Sequence, residues 1–329
     1  VDFGAEVLSN YSRNTFRIEP NSSTEATAGR VIQIVLPENS VLDMKSLRMF
    51  MKVTTTKGTA STGQDILGLL PANIEGLISS IEVYVNGVQV AQGTNEYNTI
   101  CKVLKLGSYN SDAQNSSGVL VNHARLVDTL NSVNTGDVFG DNSGNGEVAD
   151  VCIDNWSNFL GTTATRFLPT DVLGSITIKI TLAQDSVLSG AIANKTMYDV
   201  SLNGGTSPTY KISDPYFTVD SCVLPDAYNE LLRRRLAQDE YLPLNYKEYY
   251  AFIMSGITST KYSNRFALSS GCINALHAIQ RSDKHNVFGA GTNLQPTTGS
   301  RSPIGATGAK VEGKFFTYQT FKKDPDYLD

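Results

Sequence analysis

Charged side chains and histidines are scarce in this sequence. Charged residues make up 18% of its 329 positions, which is low for a freely soluble enzyme, and there are three histidines. The net charge of −5 and the isoelectric point near 5.3 give the chain no general affinity for phosphate backbones. We therefore predict that nucleic acid is not a sequence-specific partner.

Cysteines and long apolar runs are also few. The four cysteines, Cys101, Cys152, Cys222 and Cys272, are far apart and form no CxxC pair. They are typical of small buried apolar residues in a reducing compartment. No run approaches the ~18 apolar residues of a membrane span, and the first residues lack the basic and apolar pattern of a secretory signal. We therefore expect no disulfide framework.

Alternation of apolar and polar residues is abundant instead. Residues 81–85 alternate β-branched and polar side chains, which predicts a half-buried strand. Asn86-Gly87 follows and tolerates the positive φ angles of a type I′ turn. Residues 88–90 begin the return strand. We predict a β-hairpin here, at the centre of a β-barrel.

The rest of the chain has similar short patterns separated by very unequal loops. Residues 1–29 are predicted to form a loosely held arm, and residues 107–165 and 282–310 contain long Gly-rich and Asn-rich loops. Helical spacing predicts a short helix at 95–106 and another that begins at Asp226 as its N-cap. Further strands are predicted at 30–37, 46–54, 175–183, 216–219, 246–254, 266–281 and 314–321.

The order of these elements indicates an all-β fold. No strand–helix–strand alternation is present, and a similar order of elements occurs twice. Two consecutive jelly-roll β-barrels with short helices and long loops fit best. The predicted division is an N-terminal arm at 1–29, a first jelly roll at 30–190, a linker at 191–211 and a second jelly roll at 212–329.

Two loop motifs resemble ligand sites in part. Residues 308–314, GAKVEGK, match a phosphate-binding loop, but Phe315 stands where Ser or Thr should hold Mg²⁺, so we predict a turn before a strand. Residues 141–146, DNSGNG, match the first half of a calcium loop, but Cys152 stands in place of the closing glutamate. We predict a solvated loop there, with a cation bound within 141–150 as the alternative.

The histidines suggest no catalytic or metal site. His123, His277 and His285 are not spaced as a metal pair, and His277 lies in an apolar segment, where we predict a hydrogen-bonded core residue. Cys272 and His277 would point to opposite faces of one strand, too far apart for a catalytic pair. We predict no catalytic residue, no cofactor and no metal ligand.

Two clusters have more than one interpretation. Residues 233–235 are three consecutive arginines, predicted to lie on a solvated helix with local ion pairs; the alternative is contact with a neighbouring subunit, a lipid headgroup or nucleic acid. Tyr241, Tyr246, Tyr249 and Tyr250 favour either a barrel core or a subunit interface.

Several segments together resemble the double jelly-roll major capsid proteins of icosahedral DNA viruses. LISSIEVYVNGVQV at 77–90 resembles the family's early-barrel hairpin, and FLP at 167–169 with ITIKITL at 176–182 resembles the last strands of its first barrel. Residues 219–242 resemble the opening of the second barrel, and CINALHAIQR at 272–281 resembles its next strand. The resemblance covers about half of the chain, but the second barrel would be compact, with about 120 residues.

The resemblance implies a non-enzymatic role in a virion. It implies homotrimers that form pseudo-hexagonal capsomers and tile an icosahedral shell assembled inside the host cell. The implied partners are copies of the chain, penton or minor capsid proteins, and an internal membrane beneath the shell.

An alternative function is a carbohydrate-binding or receptor-binding β-sandwich, such as a viral spike. Exposed aromatic platforms would favour it, but the long loops contain only Tyr109, Phe139 and Phe288. A jelly-roll enzyme would need a histidine triad on neighbouring strands, which three scattered histidines do not supply.

Overall fold

The fold was analysed in a computed structural model of the chain. It describes residues 12–21, 24–70, 74–91, 96–108, 148–164, 167–192, 196–197, 200–223, 230, 233–234, 238, 244–252, 265, 273–280 and 317–322.

Strands dominate the described residues, and every strand pair among them is antiparallel. The strands are β1 (Ser12–Ile18), β2 (Glu25–Thr27), β3 (Val31–Val35), β4 (Val41–Thr56), β5 (Gly58–Ala60), β6 (Asp65–Leu69), β7 (Ile78–Val85), β8 (Val88–Ala91), β9 (Val148–Ile153), β10 (Phe167–Pro169), β11 (Ile176–Leu182), β12 (Ser189–Ile192), β13 (Thr196–Met197), β14 (Gly205–Thr206), β15 (Thr209–Val223), β16 (Ala275–Gln280) and β17 (Thr317–Lys322). The helices are α1 (Tyr97–Ser108), α2 (Asn158–Thr162), α3 (Thr170–Leu173) and α4 (Val200–Asn203), with 3₁₀ turns at Ile74–Leu77 and Asp185–Val187. The all-β prediction is confirmed.

The predicted hairpin is present as β7 and β8. Val85 pairs with Val88, and the two loop residues have positive φ angles, 48° at Asn86 and 79° at Gly87. These angles are those of a type I′ turn, whose twist matches the flanking strands. β7 begins earlier than predicted, at Ile78. It lies inside a four-stranded sheet with the order β3-β11-β7-β8.

The pairing of the first strands with the last ones defines the roll. β3 and β4 follow each other in the chain, as do β10 and β11. β3 pairs with β11 in the four-stranded sheet, whereas β4 pairs with β10 in a second sheet of six strands. A two-strand ribbon folded over in this way is the jelly-roll arrangement.

One hydrophobic core joins the two sheets. On β4 the inward side chains are Leu47, Met49, Met51 and Val53, all at most 4% exposed. On β11 the residues Ile176, Ile178, Ile180 and Leu182 are at most 1% exposed. Both sets belong to the same buried cluster. The period-two alternation seen in the sequence therefore faces the interior of a sandwich, as predicted.

The prediction of a loosely held arm is wrong for the residues of β1. This strand pairs with β15 over seven residue positions, from Ser12 opposite Val223 to Ile18 opposite Phe217. β2 also pairs with β15. The backbone groups of the arm therefore find their partners in a long strand more than 180 residues later in the sequence.

β15 extends well beyond the strand predicted at 216–219. It pairs with β4 along almost its whole length, from Thr209 opposite Thr56 to Cys222 opposite Val41. Short strands between residues 189 and 206 join β5 and β6 in a further sheet. The strands β1 to β14 form what we call the first block, and residues 209–223 belong to its sheets. The division of the chain into two domains stays a prediction.

The strand predicted at 246–254 is absent from its described part, because residues 244–252 have no regular secondary structure. Its backbone instead bonds to the α2 region. The amide of Lys247 donates to Thr162 Oγ1 at 2.9 Å, and the amide of Ala164 donates to the carbonyl of Asn245 at 2.7 Å. The predicted helix at 95–106 is present as α1, with Tyr97 and Cys101 buried one turn apart.

Only part of the second block lies in the described residues. β16 and β17 form a two-stranded antiparallel sheet, which confirms the strands predicted at 266–281 and 314–321 over the paired residues 275–280 and 317–322. The helix predicted from Asp226 falls largely outside the described residues. Of those that are described, Glu230, Arg233 and Arg234 are helical. No helix among the described residues is long and apolar enough to cross a membrane.

Candidate functional site

A polar cleft lies on the outer face of the six-stranded sheet, where β1, β15 and β4 are neighbours. Its volume is about 380 Å³. The charged residues that line it are Arg13, Asp43, Lys45, Arg48 and Asp220, and the hydroxyl residues are Thr15, Ser46 and Thr218.

An irregularity in β4 forms the floor of the cleft. Thr218 pairs with Arg48, but the next pair is Asp220 with Asp43, so residues 44–47 of β4 lie opposite the single residue Val219. Extra residues in one strand bend it and re-aim its side chains. This bulge interrupts the alternation of β4 and exposes Lys45 within a strand that is otherwise half-buried.

Hydrogen bonds from short polar side chains hold the bulge. The hydroxyl of Ser46 donates to the carbonyl of Asp43 at 2.7 Å and accepts from the amide of Asp220 at 2.8 Å. The amide of Lys45 donates to Asp43 Oδ1 at 3.2 Å. Backbone groups released by the bulge thus gain side-chain partners, as buried polar groups require.

Arg13 joins the two carboxylates of the cleft. Its Nε donates to Asp220 Oδ2 at 2.8 Å, its Nη2 forms a second contact with the same oxygen, and the same Nη2 lies 3.6 Å from Asp43 Oδ2. Thr15 donates to Asp220 Oδ1 at 2.7 Å. Because Asp43 is 1% exposed, its charge would be costly to bury without this partner.

Asp220 remains ionised at neutral pH. Burial acts to raise the pKa of its carboxyl, but the hydrogen bond from Thr15, the bonds and charge of Arg13 and the charge of Arg48 together outweigh it. The net result is a pKa below the usual value of an aspartate. The carboxylate is therefore a fixed part of the cleft and not a proton donor.

An aromatic stack continues the outer face beside the cleft. The rings of Phe50 and Tyr216 lie 5.0 Å apart and nearly parallel, at 12°. The guanidinium of Arg17 lies 4.1 Å above the centre of the Tyr216 ring. Along β15 and β4, the outer surface therefore changes from charged residues in the cleft to aromatic residues at the neighbouring pair Tyr216 and Phe50.

A second polar cluster is enclosed beneath α1. The Tyr97 phenol is fully buried and accepts a hydrogen bond from the amide of Ser157 at 3.0 Å, while Cys101 Sγ lies 3.6 Å from Ser157 Oγ. Burial, with a smaller effect of the Cys101 thiol, raises the pKa of Tyr97 well above that of a free tyrosine. Tyr97 therefore stays neutral, and the cluster fastens α1 to the sheet.

None of the residues that line this cleft belongs to a motif singled out in the sequence. Loops 141–146 and 308–314, together with His123 and His285, lie outside the described residues. His277 lies in β16 and is only half-buried beside the 57%-exposed Leu276, so its assignment to the core is wrong. Among the described residues, no group of three or more His, Cys, Asp or Glu could hold a metal ion.

The arginine and tyrosine clusters are described in part. Arg234 bonds to Glu230 at 3.1 Å across one helical turn, as predicted for a solvated helix, and Arg233 lies 3.9 Å from Asp171. Tyr246 packs against the core by an edge-on contact with Phe159 at 5.2 Å. Tyr250, at 43% exposed, faces the surface.

The cleft itself was missed in the sequence because its members come from three distant segments. A signal was present in β4, where the alternation of residues 47–53 breaks down over residues 43–46. β1 is exposed over almost its whole length, so residues 12–18 contain no comparable signal. The signal in β4 does not identify the pairing that brings the three segments together.

Comparisons with known proteins give only distant structural likenesses. No protein-family model and no curated protein matches this sequence. A quasi-atomic PBCV-1 virus capsid matches at 15% identity and TM-score 0.40, over 69% of this chain and 45% of that chain. The Faustovirus major capsid protein matches at 10% and 0.42, over 72% and 58%, and the Sputnik virophage at 11% and 0.35, over 66% and 48%.

This chain spans about half the length of the proteins in those structures. At these identities and TM-scores, fold and function have to be argued from the chain itself.

Proposed function

We propose that this chain is a viral major capsid protein, which assembles with copies of itself into the shell of a virion. The observation that carries the proposal is the jelly-roll pairing of β3 with β11 and β4 with β10, in a chain whose hairpin and closing strands resemble that family. The matched structures named above are a virus capsid, a virus major capsid protein and a virophage.

A mechanical role agrees with the construction of the first block. Its two sheets share a core in which many large side chains are below 2% exposed, so the sandwich is a stiff unit. A stiff unit can transmit lateral contact forces between neighbours without losing its shape. We therefore propose a structural rather than a catalytic role.

The second jelly roll and the trimer are parts of the same proposal. We propose that the second roll contains β16 and β17 and begins after β15, because β15 pairs within the first block. Three copies with two rolls each would give a pseudo-hexagonal capsomer. Penton or minor capsid proteins would close the shell, and an internal membrane is a further proposed contact.

The experiment is to purify the full chain and measure its mass by light scattering during size exclusion, followed by negative-stain imaging. We expect a species of three times the 35.6 kDa chain mass, and hexagonal or shell-like particles at high concentration. A species that stays monomeric at every concentration, with no particles, would contradict the proposal.

A carbohydrate-binding sandwich remains the second candidate because of the aromatic stack of Phe50 and Tyr216 beside the polar cleft. Sugar rings pack on aromatic faces while their hydroxyls bond to nearby polar groups. A glycan array with the purified chain tests this function. Glycan binding by a stable monomer would favour it over the capsid role.

A further inference from the structure

The cleft between β1, β15 and β4 carries more positive than negative charge. Three cations, Arg13, Lys45 and Arg48, face two carboxylates, Asp43 and Asp220. The whole chain, in contrast, has a net charge of −5. A local excess of positive charge on an acidic protein concentrates anions at that place.

The two carboxylates already have partners within the protein, and the charge of Arg13 offsets one of their two negative charges. Asp220 accepts hydrogen bonds from Arg13 and Thr15. Asp43 is buried, and its partners are Arg13 and the amide of Lys45. The two carboxylates therefore repel an incoming anion, or attract a metal ion, less strongly than carboxylates without such partners would. Arg13 occupies the position between them that a cation would need.

The other two cations are available to a ligand. Within the described part of the chain, no hydrogen bond or ion pair holds the ammonium of Lys45 or the guanidinium of Arg48. Both side chains are exposed and line the same cleft. A guanidinium and an ammonium on one wall suit a doubly charged oxyanion, to which each donates charge-assisted hydrogen bonds.

The size and polarity of the cleft indicate more than a bare ion. A volume of about 380 Å³ is larger than a single oxyanion occupies. The hydroxyls of Ser46 and Thr218 lie on the same walls and can bond to hydroxyl groups. The cleft therefore has room for a small polar group attached to the anion.

We propose that this cleft binds a phosphate monoester of a small polyhydroxy alcohol. Lys45 and Arg48 hold the phosphate dianion, the hydroxyl of Thr218 bonds to the alcohol, and Ser46 Oγ, whose proton is already donated to Asp43, accepts a hydrogen bond from the alcohol. Arg13 holds Asp43 and Asp220 in place and offsets one of their two negative charges. This site is independent of the proposed capsid role, because that role rests on strand pairing and not on the side chains of the cleft.

Glycerol 3-phosphate is the probe, titrated by calorimetry into the full chain at low ionic strength. We expect saturable binding at one site per chain, and no binding of glycerol. Lys45→Met and Arg48→Met should each weaken binding at least about tenfold, which equals about 1.4 kcal/mol. Raising the salt concentration should weaken binding as well, because both side chains are exposed.

Lys52→Met is the matched control. Lys52 lies four residues after Arg48 on the same face of β4 and is exposed, but it does not line the cleft. Its variant should bind within about twofold of the unchanged chain, since only diffuse charge is lost. Equal weakening by all three variants, or no saturable binding by the unchanged chain, would overturn the proposal.

Vesicles distinguish a free ligand from a lipid headgroup of the same chemistry. Phosphatidylinositol 4-phosphate presents a phosphate monoester of a polyhydroxy alcohol on a membrane, and phosphatidylcholine vesicles are the control. Binding to the soluble probe alone supports a free ligand; binding to both supports a lipid surface. Loss of vesicle binding in Lys52→Met as large as in Arg48→Met would indicate general surface charge and contradict the site.

Discussion

The phenol of Tyr246 donates a hydrogen bond to the backbone carbonyl of Val90 at 2.8 Å, joining residues 156 positions apart. The ring of Tyr246 also meets Phe159 edge-on at 5.2 Å. The segment 244–252 has no strand of its own, so these contacts and its bonds to the α2 region are what fasten it to the first block.

Replacement of Tyr246 by Phe should reduce the free energy of unfolding by about 1 kcal/mol. The variant loses one partly buried hydrogen bond, whereas the contact of its ring with Phe159 stays. Urea denaturation measures this change. Tyr250→Phe is the control, since its hydroxyl bonds only to the nearby Glu248 at an exposed position, and it should change stability by less than about 0.5 kcal/mol. Equal losses in the two variants would contradict the role of Tyr246.

Gly87 tests the turn of the central hairpin. Its φ angle is 79°, and a Cβ added there would meet no atom within 4 Å, so the penalty of a side chain is conformational only. Gly87→Ala should destabilise the protein by about 1–2 kcal/mol. Gly87→Asn should cost less, because Asn tolerates this region. Thermal unfolding of both variants measures the difference, and equal melting temperatures would argue against a strained turn.

Asp220 predicts a specific response to acid. Its pKa is lowered in the folded state, so its contribution to stability is complete above the unfolded value of about 3.9 and is lost as pH falls through the folded value. Asp220→Asn should lower the free energy of unfolding at pH 7 by about 1 kcal/mol, since Arg13 is partly exposed. It should also flatten the fall in stability below pH about 4.

Glu25→Gln is the control for that experiment. Glu25 pairs with Lys211 at 2.6 Å, but its side chain is 57% exposed, and such pairs contribute little. Its pH profile should therefore follow that of the unchanged chain. A profile of Asp220→Asn that also follows the unchanged chain would refute the assignment of Asp220.

The buried thiols should be protected from alkylation in the native state. Cys101, Cys152 and Cys222 are buried thiols outside any disulfide, and burial together with Asp154 raises the pKa of Cys152, although Arg48 opposes this. Thiolates are the reactive form, so iodoacetamide should label these three residues more than about tenfold slower in the native than in the urea-unfolded chain. Peptide mass spectrometry gives the rate at each residue; rapid native labelling would contradict their burial.

Local patterns in the sequence predicted the elements whose environment is simple. The alternation around Met49 and Ile178 indicated strands with one face inward, and Asn86-Gly87 specified its turn through backbone conformation alone. These features depend on residues that are neighbours in the sequence, so the sequence pattern alone is enough to predict them.

Features that depend on distant pairing could not be predicted in the same way. The register of β15 against β4 is set by packing between segments about 160 residues apart, and β1 shows almost no burial that a pattern could reveal. Residues 246–252 have strand-like composition, but the backbone amide and carbonyl of Lys247 bond to the Thr162 hydroxyl in α2 and not to a neighbouring strand. The bulge at residues 44–47, and with it the cleft, exists only opposite β15.

The pairing of β1 with β15 also has a consequence for synthesis. Arg13 and Asp220 are 207 positions apart, so at about 5–20 residues per second roughly 10–40 s pass between their appearance on the ribosome. During that interval the nascent chain exposes the edge of β4 that β15 later covers, a long template for wrong strand addition. Rapid production of this protein would therefore depend on chaperones that shield the growing chain until residue 223 has emerged.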